Sequence, residues 1–384
     1  MVRRVAWTGA MAMALVLLGN AANAQGYETK PITEGNLPAF YEALKAKMTF
    51  PLSYEATGGE LQAWHDKALA KAEEIILPTE DATPYQPEVI DEIDRGTYVA
   101  RRVVFNVTAE SRVLGLELVP KGEGPFPAVL MLHDHGSKFD IGKEKFIEPW
   151  YDDARLESAQ AWADKFFTGR FPGDVLAERG YVVFATDALG WGDREGNGYE
   201  AQQALASNMF GLGSSLAGLV ALEDKRVAEF LAEQPEVDSD RLAVVGFSMG
   251  AFRAWQVAAL SDAVKAAVVD CWMVSMPGLM VPGNNTLRGQ SAFYLSHPML
   301  GRYLDFPDVA SLAAPKPMLF FDGEDDPLFP TASVEAAFGK MKGVWKTYGA
   351  EDKIQTRLWP GLGHTFVAEM QDAAFDWLDD KMKK

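Results

Sequence analysis

Two different patterns of apolar residues divide the chain near residue 96. Before that point, apolar residues recur at helical spacing and fall near one face of a helix: Leu61, Trp64, Ala68, Leu69 and Ala72. The stretch 77–90 is rich in proline and acidic residues, which is typical of a connector. We therefore predict an N-terminal helical extension and linker over residues 25–95.

Beyond residue 96 the chain becomes β-rich. Segments 97–107 and 112–120 are close together and predict an antiparallel hairpin. Apolar runs then alternate with helical segments, at 127–133, 180–187, 241–247, 265–270, 316–322 and 354–359. Runs that are apolar on both faces are typical of parallel strands covered on both sides. The alternation predicts an α/β domain over 96–384, built on a doubly wound, mostly parallel sheet.

Three residues with catalytic chemistry follow three of these predicted strands. Ser248 lies in the sequence "GFSMG", whose two glycines permit a sharp turn from strand to helix. Asp326 follows the strand at 316–322, and His364 follows the strand at 354–359. Functional residues of doubly wound sheets gather at the carboxyl ends of the strands. We therefore expect the three side chains to meet, in the chain order Ser, Asp, His that is typical of α/β hydrolases.

The three residue types suit nucleophilic catalysis. A serine hydroxyl is a weak nucleophile near neutral pH and needs an imidazole to take its proton, while a carboxylate orients the imidazole. The remaining requirement is a pair of donors for the oxyanion. We predict the backbone N–H of Met249, directly after the serine, and that of His135, in the loop after the strand at 127–133.

Five motifs, in order, carry a family resemblance: "LHDHG", "RGYVVFATDALGWGDRE", "GFSMG", "GEDDPLFP" and "GLGH". From about residue 97 to its end the chain resembles the α/β-hydrolase superfamily, and within it the dienelactone-hydrolase-like and acetyl-xylan-esterase-like group. The resemblance implies a catalytic triad that uses no cofactor. It favours Asp326 over the neighbouring Asp325 as the acid. Asp134 stands where the group often has glycine, which leaves His135 or a neighbour as the second oxyanion donor.

The histidines of "HDHG" raise the alternative of a metal site. His133 and His135, with Asp134 and Asp187 nearby, have ligand chemistry. Residues one apart on an extended segment, however, point to opposite faces. We therefore predict no metal, and expect Asp187 and Asp193 to hold their loop in place.

The substrate pocket is expected between two long connections, 137–173 and 272–310. Connections of this length are often functional. Within or near them, Trp191, Trp272 and Met273 are candidate pocket residues, with ordinary packing under the loops as an equal alternative.

The first 24 residues predict a secretory signal peptide. Arg3 and Arg4 precede the apolar run Ala10–Leu18, which is too short to span a bilayer, and residues 22–24 form an A-x-A cleavage pattern. We predict cleavage before Gln25 and a periplasmic or secreted protein.

Composition limits the partners. The net charge of −18 argues against nucleic acid or an anionic membrane as a partner, since both require a basic surface. The single cysteine, Cys271, allows no internal disulfide. The oligomeric state stays open.

These observations together predict an exported serine hydrolase that cleaves a carboxylic ester, with an acetyl or carbohydrate ester as one candidate. A peptidase of prolyl-oligopeptidase type shares the triad, but it usually carries a β-propeller for which residues 25–95 are too few. A non-catalytic binding protein with this fold would normally have lost part of the triad.

Overall fold

The structure, a computed structural model, describes residues 31–383 apart from 34–36, 59, 78 and 283–289. The predicted signal peptide, 1–24, lies outside the described residues.

Within this part of the chain nine strands form one sheet: β1 (Glu88–Asp94), β2 (Tyr98–Thr108), β3 (Ser111–Pro120), β4 (Phe126–Leu132), β5 (Val182–Thr186), β6 (Val237–Phe247), β7 (Ala266–Asp270), β8 (Met318–Gly323) and β9 (Ile354–Trp359). Their order across the sheet is β1-β2-β3-β5-β4-β6-β7-β8-β9. The pairs from β5 through β4 to β9 are parallel, and those from β1 to β5 are antiparallel. This confirms the predicted fold class.

Helices cover both faces of the sheet: α1 (Tyr41–Lys45), α2 (Tyr54–Thr57), α3 (Leu61–Ile76), α4 (Asp153–Phe166), α5 (Pro172–Glu178), α6 (Gly198–Gly211), α7 (Leu216–Ala232), α8 (Met249–Leu260), α9 (Met276–Leu279), α10 (Phe306–Ser311), α11 (Thr331–Thr347) and α12 (Ala368–Met382). Helices α4, α5 and α12 pack on one face, and α3, α7, α8, α10 and α11 pack on the other. The sequence of strand β4 is continuously apolar because its side chains enter the cores on both faces of the sheet. Leu130 and Leu132 enter one core while Val129 and Met131 enter the other.

None of the helices in the described residues is by itself long and apolar enough to cross a bilayer. Helices α6 and α7 pass that test only as a pair, with a bend of 92° between them.

The N-terminal extension packs on one face of the α/β core. The predicted helix is α3, and it buries Trp64, Ala68, Ala72 and Ile76 against the same cluster as α7. The indole N–H of Trp64 donates to the carbonyl oxygen of Leu52 at 2.9 Å, which ties the helix to the chain that precedes it.

Strand β1 lies within the stretch for which the sequence predicts only helices and a connector. It pairs antiparallel with β2, so the sheet begins at Glu88. Its sequence, "EVIDEID", carries four acids and lies at the sheet edge, with most of its side chains exposed to solvent. A charged edge strand lacks the alternation of a half-buried strand, which explains why the apolar pattern does not reveal it.

Candidate active site

The turn between β6 and α8 holds Ser248 in a strained backbone conformation. Its φ is 56° and its ψ is −122°, values that non-glycine residues rarely adopt. A Cβ on Gly246 would overlap the carbonyl oxygen of Gly250, and one on Gly250 would overlap the carbonyl oxygen of Leu132. The two glycines of the motif are thus required by close backbone approach, and the turn lifts the serine hydroxyl above the sheet.

The structure brings Ser248, His364 and Asp326 into one hydrogen-bonded chain. The Nε2 atom of His364 lies 2.7 Å from Oγ of Ser248, and its Nδ1 atom lies 2.7 Å from Oδ2 of Asp326. Because a carboxylate only accepts hydrogen bonds, Nδ1 carries the proton and Nε2 is left to accept from the serine hydroxyl. This is the tautomer that a general base for Ser248 requires.

Asp326, rather than Asp325, faces the histidine. Asp326 is buried, and its second carboxylate oxygen accepts from the backbone N–H of Leu328 at 2.8 Å. Asp325 is exposed to solvent. The backbone of the loop directs one acid inward and the other outward, which agrees with the alignment implied by the family pattern.

A cavity of about 210 Å³ opens at Ser248 and His364. Its other described lining residues are mostly apolar: Asp134, His135, Gly136, Trp162, Phe166, Phe247, Met249, Trp272, Leu295, Leu328 and Phe329. Both long connections expected to form the pocket contribute, through Trp162 and Phe166 and through Trp272 and Leu295. No lysine or arginine is among the lining residues that the structure describes.

The three predicted pocket residues differ in position. Trp272 lines the cavity, but Trp191 and Met273 do not. Met273 is buried in the core on the α8 face of the sheet. Trp191 is fully buried behind the loop 134–136, where its indole N–H donates to the carbonyl oxygen of Gly136 at 3.4 Å. The apolar character of these residues is visible in the sequence, but the side of the loop on which each one packs is not.

Both predicted oxyanion donors belong to residues that line the cavity. Met249 begins α8 directly after the serine, and His135 lies in the loop after β4. The side chain of Asp134, in the place where glycine is frequent, is held by two partners. One of its oxygens accepts from the indole N–H of Trp162 at 3.0 Å, and the other lies 3.4 Å from Nζ of Lys145.

The histidines of the "HDHG" segment have structural partners. His133 Nδ1 donates to the carbonyl oxygen of Asp134 at 2.8 Å, and its Nε2 accepts from the backbone N–H of Ala188 at 3.0 Å. Burial, with the nearby charge of Arg253, holds the pKa of His133 well below its usual range. His135 bonds to the side-chain oxygen of Gln202 at 3.2 Å, and burial lowers its pKa to about 4. Neutral rings with these partners serve to fix the loop.

Comparisons with known proteins relate part of this chain to a known family. A model of the dienelactone hydrolase family matches residues 172–270, the stretch that contains the serine turn. The fold of the chain is the α/β-hydrolase fold. The protein named "Putative hydrolase YtaP" of Bacillus subtilis (strain 168) is 29% identical over 273 residues, which cover 71% of this chain and 85% of that protein.

Solved structures share the α/β-hydrolase fold at low sequence identity. A glucuronoyl esterase from Solibacter usitatus matches with a TM-score of 0.60 and 12% identity, over 92% of this chain and 98% of that one. An acetyl xylan esterase from Paenibacillus sp. R4 matches with a TM-score of 0.53 and 18% identity, over 84% and 94%.

A buried ionic cluster joins the loop after β5 to Lys143, beside the candidate site. Lys143 is fully buried, and its Nζ lies 2.6 Å from Asp187 and 2.7 Å from Asp193. Although burial opposes it, the charges of Asp187 and Glu144 raise the pKa of Lys143. Asp187 also accepts from the backbone N–H of Lys143 at 2.8 Å and from that of Asp193 at 3.0 Å. The two acids therefore hold this loop in place, as expected from the sequence.

A second buried ion pair joins α8, the helix after the serine, to α7, and its arginine also contacts the loop after β4. Arg253 on α8 makes two hydrogen bonds to Asp224 on α7, at 2.8 and 2.6 Å. It also donates to the carbonyl oxygen of His133 at 3.2 Å. The motifs of the sequence do not mark Arg253, although a charge within the otherwise apolar start of α8 is a usable signal.

Three further titratable groups are buried at the carboxyl ends of β7 and β8. Burial, followed by the neighbouring acids, raises the pKa of Asp270 and of Asp322 well above the usual range. Burial likewise raises the pKa of the Cys271 thiol. Cys271, Asp326 and His364 bring potential metal-ligand atoms within 4.8 Å of one another. The Sγ atom of Cys271 donates to the carbonyl oxygen of Thr365 at 3.5 Å, while Asp326 and His364 bond to each other.

Proposed function

We propose that this protein hydrolyses carboxylic esters through a covalent acyl-enzyme on Ser248. The observation that carries the proposal is the chain of two 2.7 Å hydrogen bonds from Ser248 through His364 to Asp326, at the mouth of a mostly apolar cavity. The match to the dienelactone hydrolase family supports hydrolytic chemistry at this place in the fold.

In the first half of the reaction, Oγ of Ser248 attacks the ester carbonyl carbon while Nε2 of His364 takes its proton. The carbonyl oxygen becomes an oxyanion, which the backbone N–H groups of Met249 and His135 stabilise. Asp326 stabilises the imidazolium that forms. The tetrahedral intermediate then collapses, the bond to the alcohol oxygen breaks, and His364 returns its proton to the departing alcohol.

The second half repeats these steps with water as the nucleophile. His364 takes a proton from a water molecule, whose oxygen attacks the acyl carbon. Collapse of the second intermediate breaks the bond to Ser248, and the proton on His364 passes to Oγ. The products are one alcohol and one carboxylic acid, and the enzyme is restored without a cofactor or metal.

The size and the lining of the cavity favour a substrate with a short, uncharged acyl group. Its volume of about 210 Å³ lies below the roughly 300–1,000 Å³ of pockets that enclose drug-sized ligands. Trp162, Trp272 and Phe329 close it with aromatic surface, and no described lining residue offers a cation to a second carboxylate. We propose that the acyl group enters this cavity while the alcohol extends toward solvent.

A carbohydrate is the proposed alcohol. The support is the shared fold with proteins named acetyl xylan esterase and glucuronoyl esterase, together with the predicted signal peptide over residues 1–24. An exported esterase would meet acylated polysaccharides outside the cytoplasm, so a periplasmic or secreted location is part of the same proposal.

A panel of p-nitrophenyl esters tests the reaction. We expect kcat/KM to be highest for the acetate and to fall more than tenfold by the octanoate, because the longer chain exceeds the cavity. Acetate release from an acetylated sugar tests the carbohydrate part. The matched p-nitroanilide of acetic acid is the control. Faster cleavage of the anilide would favour a peptidase, and no turnover of any ester would favour a binding protein.

A further inference from the structure

Lys145 lies directly behind the loop that carries the proposed oxyanion donor. The side chain is fully buried at the end of the short 3-10 helix Lys143–Lys145. Its ammonium has three acceptors: the carbonyl oxygens of Asp134 and His135, at 3.2 and 3.3 Å, and Oδ2 of Asp134, at 3.4 Å. A buried ammonium is costly unless its protons are bonded, and here three donors meet three acceptors.

The positions of these carbonyl groups determine where the neighbouring N–H groups point. Both peptide bonds, from Asp134 to His135 and from His135 to Gly136, are trans. In a planar trans peptide the C=O and the following N–H point in opposite directions. Since the carbonyl oxygens of Asp134 and His135 point toward Lys145, the N–H groups of His135 and Gly136 point away from it.

The side facing away from Lys145 is the side of the cavity. Asp134, His135 and Gly136 all line the cavity, whereas Lys145 does not. Gly136 has a φ of 42°, and a Cβ there would overlap the ring of Trp162, so this turn of the loop needs glycine. The loop thus separates the ammonium from the reacting serine and presents its amide side to it.

We propose that Lys145 is a positioning residue that holds the peptide units of the oxyanion loop with their N–H groups aimed at the developing oxyanion. This inference rests on the proposed ester hydrolysis. Preorganised donors act on the transition state, where the negative charge appears, more than on the bound substrate. Lys145 therefore contributes to kcat and to the binding of oxyanion-containing adducts, and little to the binding of the ester itself.

Lys145 also contacts the rings of Trp162 and Trp191, with Nζ 4.7 and 5.8 Å from their centres. These cation–π contacts would stabilise the fold without any role in the reaction. The experiment must separate the two effects. Lys165 provides a matched control, because its Nζ lies 5.8 Å from the centre of the same Trp162 ring while its side chain is exposed.

Two ketones provide the readout that a purely structural role would not change. The serine Oγ adds to the carbonyl carbon of a trifluoromethyl ketone with a short acyl chain, and the product is a tetrahedral oxyanion. The methyl ketone of the same shape binds without forming that adduct. Their inhibition constants are measured with wild-type enzyme and with Lys145→Met, Lys145→Gln and Lys165→Met, together with kcat and KM for p-nitrophenyl acetate and the melting temperature.

For Lys145→Met we expect kcat/KM and the affinity for the trifluoromethyl ketone to fall together, by about 10²–10³, the size of the loss of one oxyanion donor. The affinity for the methyl ketone should change less than threefold. Lys145→Gln should lie between this variant and wild type, because one amide cannot satisfy three acceptors. Lys165→Met should match wild type.

Three results would overturn the inference. One is a folded Lys145→Met enzyme with kcat/KM within twofold of wild type. Another is an equal loss of affinity for both ketones, which would indicate general disturbance of the cavity. If Lys145→Met does not fold, the ratio of the two ketones' inhibition constants is measured with Lys145→Gln instead. The third result is that neither variant folds, which would show that Lys145 has a structural role. A wild-type enzyme without esterase activity would instead overturn the proposed function.

Discussion

Replacement of Ser248 by alanine is expected to lower kcat by about 10⁴–10⁶, because only the oxyanion donors and substrate binding then remain to assist a direct attack by water. The change removes one oxygen atom. Alanine has backbone preferences similar to those of serine, so the strained turn should be retained. The melting temperature should therefore stay close to that of wild type. Rates of p-nitrophenyl acetate hydrolysis and a thermal melt on the same preparation check both statements.

Ser275 offers a matched control for this substitution. It caps α9, where its Oγ accepts from the backbone N–H of Gly278 at 3.1 Å, and it does not line the described cavity. Ser275→Ala should therefore affect stability and leave the rate largely intact. A Ser248→Ala enzyme that keeps a tenth of the wild-type rate, equivalent to a barrier change of only about 1.4 kcal/mol, would show that Ser248 is not the nucleophile.

The second large effect is expected at the acid. Asp326→Asn should lower kcat by about 10⁴, because an amide in this place favours the wrong tautomer of His364 and cannot stabilise the imidazolium. The neighbouring Asp325→Asn makes the same chemical change on an exposed side chain and should leave kcat within about twofold of wild type. Steady-state kinetics of the two variants decide the assignment. The opposite order would move the proposed acid by one residue.

The fold could be predicted from the sequence because most of its parallel strands are buried on both faces. Segments such as 127–133 and 265–270 are continuously apolar, and the structure shows them as β4 and β7 at the centre of the sheet. The polar edge strand β1 could not be predicted in this way. Its stability depends on pairing with β2 and on ion pairs such as that of Arg101 with Glu92, both of which exist only in the folded chain.

The three residues of the proposed triad can be picked out in the sequence because each follows a strand within a short motif, and parallel strands bring their carboxyl ends together. The residues that support the site were not visible. Lys143 and Lys145 are of a type that is almost always exposed, and their burial depends on acceptors supplied by distant loops. Trp191 and Trp272 have the same residue type and each follows a strand, but only the three-dimensional course of the loops places Trp272 in the cavity.

Covalent labelling tests the central claim most directly. The wild-type protein is treated with diethyl p-nitrophenyl phosphate, its intact mass is measured, and the modified peptide is sequenced by mass spectrometry. We predict the loss of esterase activity in step with the addition of one diethylphosphoryl group per chain, located on Ser248, and no labelling of the Ser248→Ala variant. Full inhibition with the label on another residue, or esterase activity that persists in fully labelled protein, would contradict the assignment of Ser248 as the nucleophile.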